Sequence, residues 1–313
     1  MLPINEKKII ITILGPTAGG KTNVAAHLAK YLHGEIISAD SRQIYRKMNL
    51  GTGKDYDDYT IDGVQIPYHL IDIKEPGYKY NLFEYQQDFY KVYKNITERN
   101  KIPILCGGTG LYIEGVTKGY KMLAVPPDEK LRKELESKSL SELESVLKSY
   151  KTLHNISDID TKKRAIRAIE IEKYHEKYES NLPVHDLKPI YFGIKYDRIS
   201  QRKRITDRLK SRLESGMIDE VRDLLEMNNV PSDSLVYYGL EYKFITLYLL
   251  KEITYDEMFI KLNTAIHQFA KRQMTWFRRM ERKGDKIYWF DGYEPNPLKI
   301  KRMLEILEKE IGI

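Results

Sequence analysis

Cysteine is almost absent from this chain of 313 residues: Cys106 stands alone, which excludes an intrachain disulfide and any cysteine-based metal cluster. It ends the apolar run Ile102 to Cys106 and reads as a small buried strand residue with no chemistry of its own. Long hydrophobic runs are missing as well. Nothing approaches the roughly 20 apolar residues that span a bilayer, and Asn5-Glu6-Lys7-Lys8 leads straight into a strand-like run with no signal-peptide pattern. The expectation is a cytoplasmic protein that does not engage membranes. Internal repeats, low-complexity tracts and Cys/His zinc modules are also lacking. What remains, 42% hydrophobic and 31% charged, suffices for a proper core in one large or two modest domains.

What is present begins with Gly15-Pro16-Thr17-Ala18-Gly19-Gly20-Lys21-Thr22, a complete G-x-x-x-x-G-K-T loop directly after the apolar run Ile9 to Leu14. A strand that feeds a glycine-rich turn and then a helix aims several backbone N–H groups and the positive helix end at one spot, where Lys21 adds a charge. Gly20 lets the backbone approach an anion, and the Thr22 hydroxyl is placed to ligate Mg²⁺. The loop is a diphosphate or triphosphate cradle. It says nothing about the reaction, because kinases, NTPases and transferases share it.

The charge is modest, 52 basic against 45 acidic residues for a net +7, and it concentrates late. Lys271 to Lys283 holds a dense run of lysine and arginine with Trp276 and Phe277 between them. A basic, aromatic segment suits nucleic acid, and from the residues alone it suits slightly better a solvated helix face with its aromatics in the core.

Strand-like runs fall at Lys8 to Leu14, Glu35 to Ser38, His69 to Ile73, Ile102 to Cys106, Ile190 to Ile194 and Ile287 to Phe290, with helix-like patterns between most of them. That alternation predicts an α/β fold, a mainly parallel sheet with helices on both faces. Between Thr117 and His185 the character changes. Asp128 to Ser149 and Thr161 to Tyr178 are charged, helix-prone stretches with no strand between them, framed by Pro126-Pro127 and Pro183. The expected organisation is a core of residues 1–117 and 186–313 with an all-helical insertion at 118–185.

In such sheets ligands bind off the carboxyl ends of the strands. Asp40 leaves the second strand there, suited to act as a general base or to hold Mg²⁺ through water, or simply to cap the next helix with Ser41. Gly107-Gly108-Thr109-Gly110 follows another strand and brings a hydroxyl to the same edge. The helix predicted over Arg198 to Glu214 places Arg204, Arg208 and Arg212 on one stripe. A solvated face is the ordinary reading for most of Arg202, Lys203, Arg204, Lys210 and Arg212.

These residues carry a resemblance. The sequence resembles the tRNA dimethylallyltransferases, or tRNA isopentenyltransferases, through GPTAGGKT at the start, SADSRQIY at 38–45, GTGK at 51–54, YHLID at 68–72, GGTGLY at 107–112, KKRAIRAIE at 162–170 and KRQMTWFR at 271–278. Gly19 stands where that family usually has serine, and Gly239-Leu240-Glu241-Tyr242-Lys243 is an altered form of its Gly-Tyr-Arg/Lys segment. The resemblance implies a P-loop NTPase-like core and transfer of a dimethylallyl group from dimethylallyl diphosphate to N6 of adenine 37, in tRNAs reading codons that begin with U. It implies catalytic roles for Asp40 as base and for Thr109 and Arg208 on the leaving diphosphate, which residues 15–22 would cradle with Mg²⁺ on Thr22. It further implies an RNA path along Asp40, Ser41, Arg42, Gln43, Arg132, Lys163, Arg164, Arg167, Lys271, Arg272, Gln273 and Arg278, the insertion gripping the anticodon stem of a tRNA bound by a monomer. The rival readings are an adenylate isopentenyltransferase acting on free AMP, ADP or ATP, and a P-loop kinase.

Overall fold

The computed structural model describes residues 8–150, 159–178 and 186–312. The chain divides into two compact units, Met1–Gly119 with Asp186–Ile313, and Tyr120–His185. In chain order the elements are β1 (Ile9–Leu14), α1 (Lys21–Leu32), β2 (Glu35–Ser38), β3 (Thr60–Ile61), β4 (Val64–Gln65), β5 (Tyr68–His69), α2 (Leu82–Glu98), β6 (Pro103–Gly107) and α3 (Gly110–Thr117). The smaller unit contributes α4 (Glu129–Glu136), α5 (Leu140–Tyr150) and α6 (Lys162–Tyr178). The larger one resumes with β7 (Lys188–Lys195), α7 (Arg198–Glu214), α8 (Met217–Glu226), α9 (Ser232–Tyr238), α10 (Leu240–Leu249), α11 (Tyr255–Arg282), β8 (Ile287–Asp291) and α12 (Asn296–Ile311). No helix among the described residues is long and apolar enough to cross a membrane.

Six strands form one sheet in the order β5-β2-β6-β1-β7-β8, every pairing parallel. β1 is buried at all six positions because helices cover both faces, which is why it reads as an unbroken apolar run and not an alternating one. The pleat still sorts it. Ile9, Ile11 and Ile13 join Val24 and Leu28 of α1 and Met303 and Leu307 of α12. Ile10 and Leu14 join Tyr85 and Phe89 of α2, Ile113 of α3 and Phe277 of α11 on the other face. A third core gathers α7 through α11 around Leu209, Val221, Tyr242, Ile245 and Leu262. Each such fully buried side chain contributes about 1.5–3 kcal/mol of transfer free energy.

The sheet sets up the site through register. Leu14 of β1 pairs with Gly107 of β6, and Ser38 of β2 with Cys106 of β6, so the carboxyl ends of three neighbouring strands lie side by side. β1 and β6 neighbour each other although β2 lies between them in sequence, so the crossovers diverge at this point and open a crevice.

The run His69 to Ile73, expected as a strand, is corrected: only Tyr68 and His69 pair with β2. Leu70 and Asp72 take left-handed backbone, φ 61° and 57°, which leaves the ladder. Asp72 instead accepts from Lys54 Nζ at 2.5 Å. The hairpin of β3 and β4 was not foreseen, although Asp62-Gly63 at its tip, both with positive φ, is a strong turn signal.

Within the smaller unit, Leu131, Leu135, Leu143, Leu147, Ile166 and Ile169 form their own core. The stretch Asp128 to Ser149 is two helices, with the chain turning through Ser137 to Ser139. Pro183, read as the boundary of the insertion, lies outside the described residues.

Candidate active site

The phosphate loop turns from β1 into α1 with Gly20 at φ 72°, a left-handed conformation suited to glycine. No side chain caps the helix, so its first N–H groups remain available to an anion. Lys21 folds back over the loop and donates to the Pro16 carbonyl at 2.8 Å. It forms no ion pair among the described residues. Burial pulls its ammonium down to about 8, against the opposing pull of Cys106 and Asp40.

The loop is gripped from outside by α7. Gln201 Nε2 donates to the Thr17 carbonyl at 2.6 Å, Arg204 Nε donates to the Ala18 carbonyl at 3.0 Å, and the Arg208 guanidinium donates to the Thr17 hydroxyl. Successive turns of one helix face therefore hold two neighbouring loop residues, Thr17 and Ala18. The solvated-face expectation is corrected for Arg212, while Arg204 stays exposed and bonds to the loop. Arg204 binds Ala18 and stacks on Tyr196, 4.3 Å from the ring centre. Arg212 is buried and pairs with Asp55 at 3.0 Å. Arg208, unlike Arg212, has no ion pair among the described residues. Burial, and then Arg212, pull its guanidinium below its ordinary value.

Asp40 stands beyond β2 and accepts from the Arg42 backbone N–H at 3.0 Å. Thr109, beyond β6, accepts from the Ser41 N–H through its hydroxyl at 3.1 Å. Thr17 to Thr22, Asp40, Arg208 and Gly107 border one cavity, which Cys106, Asp55 and Asp58 also reach. Of the predicted residues, Thr17 to Thr22, Asp40 and Arg208 thus meet at one cavity off β1, β2 and β6, whereas Gly15, Pro16 and Thr109 do not border it. Cys106 is buried as expected, and burial pushes its thiol up to about 12, so it stays protonated at neutral pH. Burial also raises the Asp58 carboxyl, which accepts from Asn23 at 3.2 Å.

The residues assigned to the RNA path are placed unevenly. Lys271, Arg272 and Arg278 project from α11 and are exposed, with no ion pair among the described residues. Their neighbour Phe277 is fully buried in the core, and Trp276 packs against Gly110, where a Cβ would come within 2.2 Å of its ring. Gln273 is 6% exposed, with its amide bonded to Thr17 and Gly108. Arg42 pairs with Glu241 at 2.7 Å and lies over Phe269. Gln43 donates to the Gly53 carbonyl at 3.0 Å.

In the smaller unit Lys163 is exposed and Arg164 pairs with Asp160. Arg132 and Arg167 converge on Glu170, which is buried and also accepts from the Asp128 N–H at 2.6 Å.

Sequence reasoning missed the acid cluster of Asp55 and Asp58 and the grip of Gln201. The run Lys54-Asp55-Tyr56-Asp57-Asp58 was the signal for the first, and Gln201 has none that is local. The segment Gly239 to Lys243 turns two side chains inward: Glu241 to Arg42, and Tyr242 to Glu220 at 2.8 Å.

Comparison with known proteins shows the family of the chain. The family model for IPP transferase matches residues 43–280, and that for isopentenyl transferase matches residues 8–65. A tRNA dimethylallyltransferase 1 of Parabacteroides distasonis is 58% identical, the match covering 96% of this chain and 98% of that one. A tRNA dimethylallyltransferase 2 of Bacteroides fragilis is also 58% identical, over 96% and 98%. Among solved structures, the tRNA isopentenylpyrophosphate transferase of Bacillus halodurans aligns with TM-score 0.71 at 31% identity, covering 97% of this chain and 96% of its own. A eukaryotic dimethylallyltransferase acting on tRNA shares the fold at TM-score 0.76 and 20% identity, over 96% of this chain and 78% of its own. With near whole-length matches at that identity and a family model over residues 43–280, this chain belongs to the tRNA dimethylallyltransferase family of IPP transferases.

Proposed function

We propose that this protein transfers the dimethylallyl group of dimethylallyl diphosphate to N6 of adenine 37 in tRNAs that read codons beginning with U, releasing diphosphate. The observation that supports this most is the single cavity in which the phosphate loop, Arg208 and Asp40 meet. Two half-buried cations, Lys21 and Arg208, form no ion pair there among the described residues, as a site for a polyanion requires.

The chemistry has two halves. The N6 lone pair of adenine is delocalised into its ring, so N6 becomes a useful nucleophile only as its proton leaves. Asp40 accepts that proton while the N6–C1 bond forms. The C1–O bond breaks with its electrons passing to diphosphate, whose developing charge meets Lys21, Arg208, Thr109 and the loop N–H groups. Holding both partners in one crevice lowers the barrier further.

A divalent cation fits the donor set. No cluster of three His, Cys, Asp or Glu that could hold a metal occurs among the described residues, so the ion would be held by the Thr22 hydroxyl and mainly by substrate phosphates, the usual manner of Mg²⁺. When bound it neutralises charge on the diphosphate.

The base must leave its stack to enter the cavity, and the flanking RNA needs a basic surface. Lys163, Lys271, Arg272 and Arg278 supply exposed charge for phosphates, with Ser41, Arg42 and Gln43 lying beside Asp40. Arg132, Arg164 and Arg167 already carry carboxylate partners, so an RNA phosphate has to compete for them. The protein is proposed to act as a cytoplasmic monomer, its helical unit holding the anticodon stem.

The test is transfer of label from dimethylallyl diphosphate, with Mg²⁺, to an unmodified tRNA offered beside AMP and ATP. Label in the tRNA alone, lost when adenine 37 is replaced, is the expected result. Label in the free nucleotide would replace this reading with an adenylate isopentenyltransferase.

A further inference from the structure

Gln273 was expected on the RNA path, yet its side chain is buried and turned inward, to the border of the cavity. It is 6% exposed on the inward stripe of α11, between the exposed Arg272 and the half-buried Met274. Its amide is used at both ends. Oε1 accepts from the Thr17 backbone N–H at 2.8 Å, and Nε2 donates to the Gly108 carbonyl at 2.9 Å. Thr17 belongs to the loop after β1, Gly108 to the turn after β6. One planar group therefore fixes the spacing between the two loops, and its atoms have no freedom to exchange donor and acceptor without losing both bonds.

The fit is close on both sides. A Cβ on Gly108 would lie 2.3 Å from Gln273 Nε2, so the turn approaches the amide as only glycine allows. On the first side, Thr17 is also held at its carbonyl by Gln201 and at its hydroxyl by Arg208. Thr17 is thus fixed in three directions, and Gln273 supplies the one that relates it to Thr109, the neighbour of Gly108.

We infer that Gln273 is a positioning residue for the transfer reaction, which sets the separation of the phosphate loop from the Thr109 turn and makes no contact with RNA. This rests on the proposed prenyl transfer, in which the leaving diphosphate lies between the first loop and Thr109 and the accepting base lies against Asp40. A displacement of about 1 Å between reacting groups costs on the order of 100-fold in rate. Loss of the bridge therefore lowers the rate of the bound complex and leaves the affinity for RNA alone.

The experiment compares the full-length protein with Gln273→Met, which keeps the length and apolar stem but loses both bonds, and with Gly108→Ala, which pushes the same bridge apart from the other side. Three quantities are read: tRNA affinity, the single-turnover rate with both substrates saturating, and amide exchange at Thr17 measured beside global unfolding. The expected result is tRNA affinity within twofold of the parent, a single-turnover rate lower by tenfold or more, and faster exchange at Thr17 with global unfolding little changed. The double variant should be no slower than the worse single one, because both cut one link. Gln273→Glu should recover part of the exchange protection, since it still accepts from Thr17. Loss of tRNA affinity by tenfold with the saturated rate and Thr17 exchange unchanged would overturn the inference and make Gln273 an RNA contact. Should the parent itself transfer nothing to tRNA, the functional reading fails, while Thr17 exchange still decides whether Gln273 holds the loop.

Discussion

The guanidinium of Arg208 donates to the hydroxyl of Thr17, joining the middle of α7 to the phosphate loop, and it has no ion pair among the described residues. A half-buried cation left without a carboxylate is costly to the free protein and ready for an anion. Arg208→Ala should lower the transfer rate on the order of 100-fold, the usual loss for one charge-stabilising donor. Arg208→Lys should recover little of it, because a point charge does not reproduce the fork. Steady-state kinetics with a melting curve on each variant checks this; a rate within threefold of the parent in the alanine variant would remove Arg208 from the leaving-group site.

Lys21 gives a pH dependence with a definite sign. Its ammonium, lowered by burial to about 8, must be charged to hold diphosphate. Affinity for inorganic diphosphate should be flat up to pH 7 and fall as pH rises through about 8, approaching tenfold per unit. Stability runs the opposite way. The unfolded lysine keeps its proton up to about 10.5 and the folded one releases it from about 8, so the cost of burying the charge is fully present below pH 8 and is relieved as pH rises toward 10.5. Lys21→Met should therefore raise the melting temperature of the ligand-free protein at pH 7, by a margin that shrinks above pH 8, and abolish the pH dependence of binding measured by calorimetry.

Glu220 organises the segment that follows Tyr45. Its carboxylate accepts from the backbone N–H groups of Asn49, Leu50 and Gly51 at 2.8, 2.7 and 3.1 Å and from the Tyr242 hydroxyl at 2.8 Å. Glu220→Ala orphans those donors together and should destabilise the protein by about 3 kcal/mol in urea unfolding. An effect under about 1 kcal/mol would mean that water replaces the carboxylate at little cost.

Glu170 does the same for the smaller unit, where Arg132, Arg167 and the Asp128 N–H all meet it. Glu170→Ala leaves two guanidinium groups facing one another. Amide exchange in α4 and α6 should accelerate by tenfold or more while exchange in β1 and β6 stays as in the parent. Equal acceleration in both units would show that Glu170 stabilises more than its own helices.

Much of this was legible because it is local. The loop from Gly15 to Thr22 carries its own strand, turn and helix start, and β2 and α7 fall where their apolar and charged patterns place them. What escaped depends on partners distant in sequence. Nothing near Gln273 announces Thr17, 256 residues earlier, and Arg212 reads as a solvated cation until Asp55 is folded against it. The strand expected to run to Ile73 stops at His69 because Asp72 is drawn out of the ladder toward Lys54 and Tyr56. A β-rich run is a statement about propensity, and a buried lysine in need of a carboxylate overrode it.

The most direct measurement is the single-turnover rate of Asp40→Asn, with tRNA and dimethylallyl diphosphate both saturating and both affinities measured separately. Asparagine keeps the shape beside Arg42 and Thr109 but cannot take the N6 proton. The account predicts a loss of about 100- to 10,000-fold in the rate, with both substrates bound as tightly as before within a fewfold. A rate within twofold of the parent would contradict it and leave the cavity without its base.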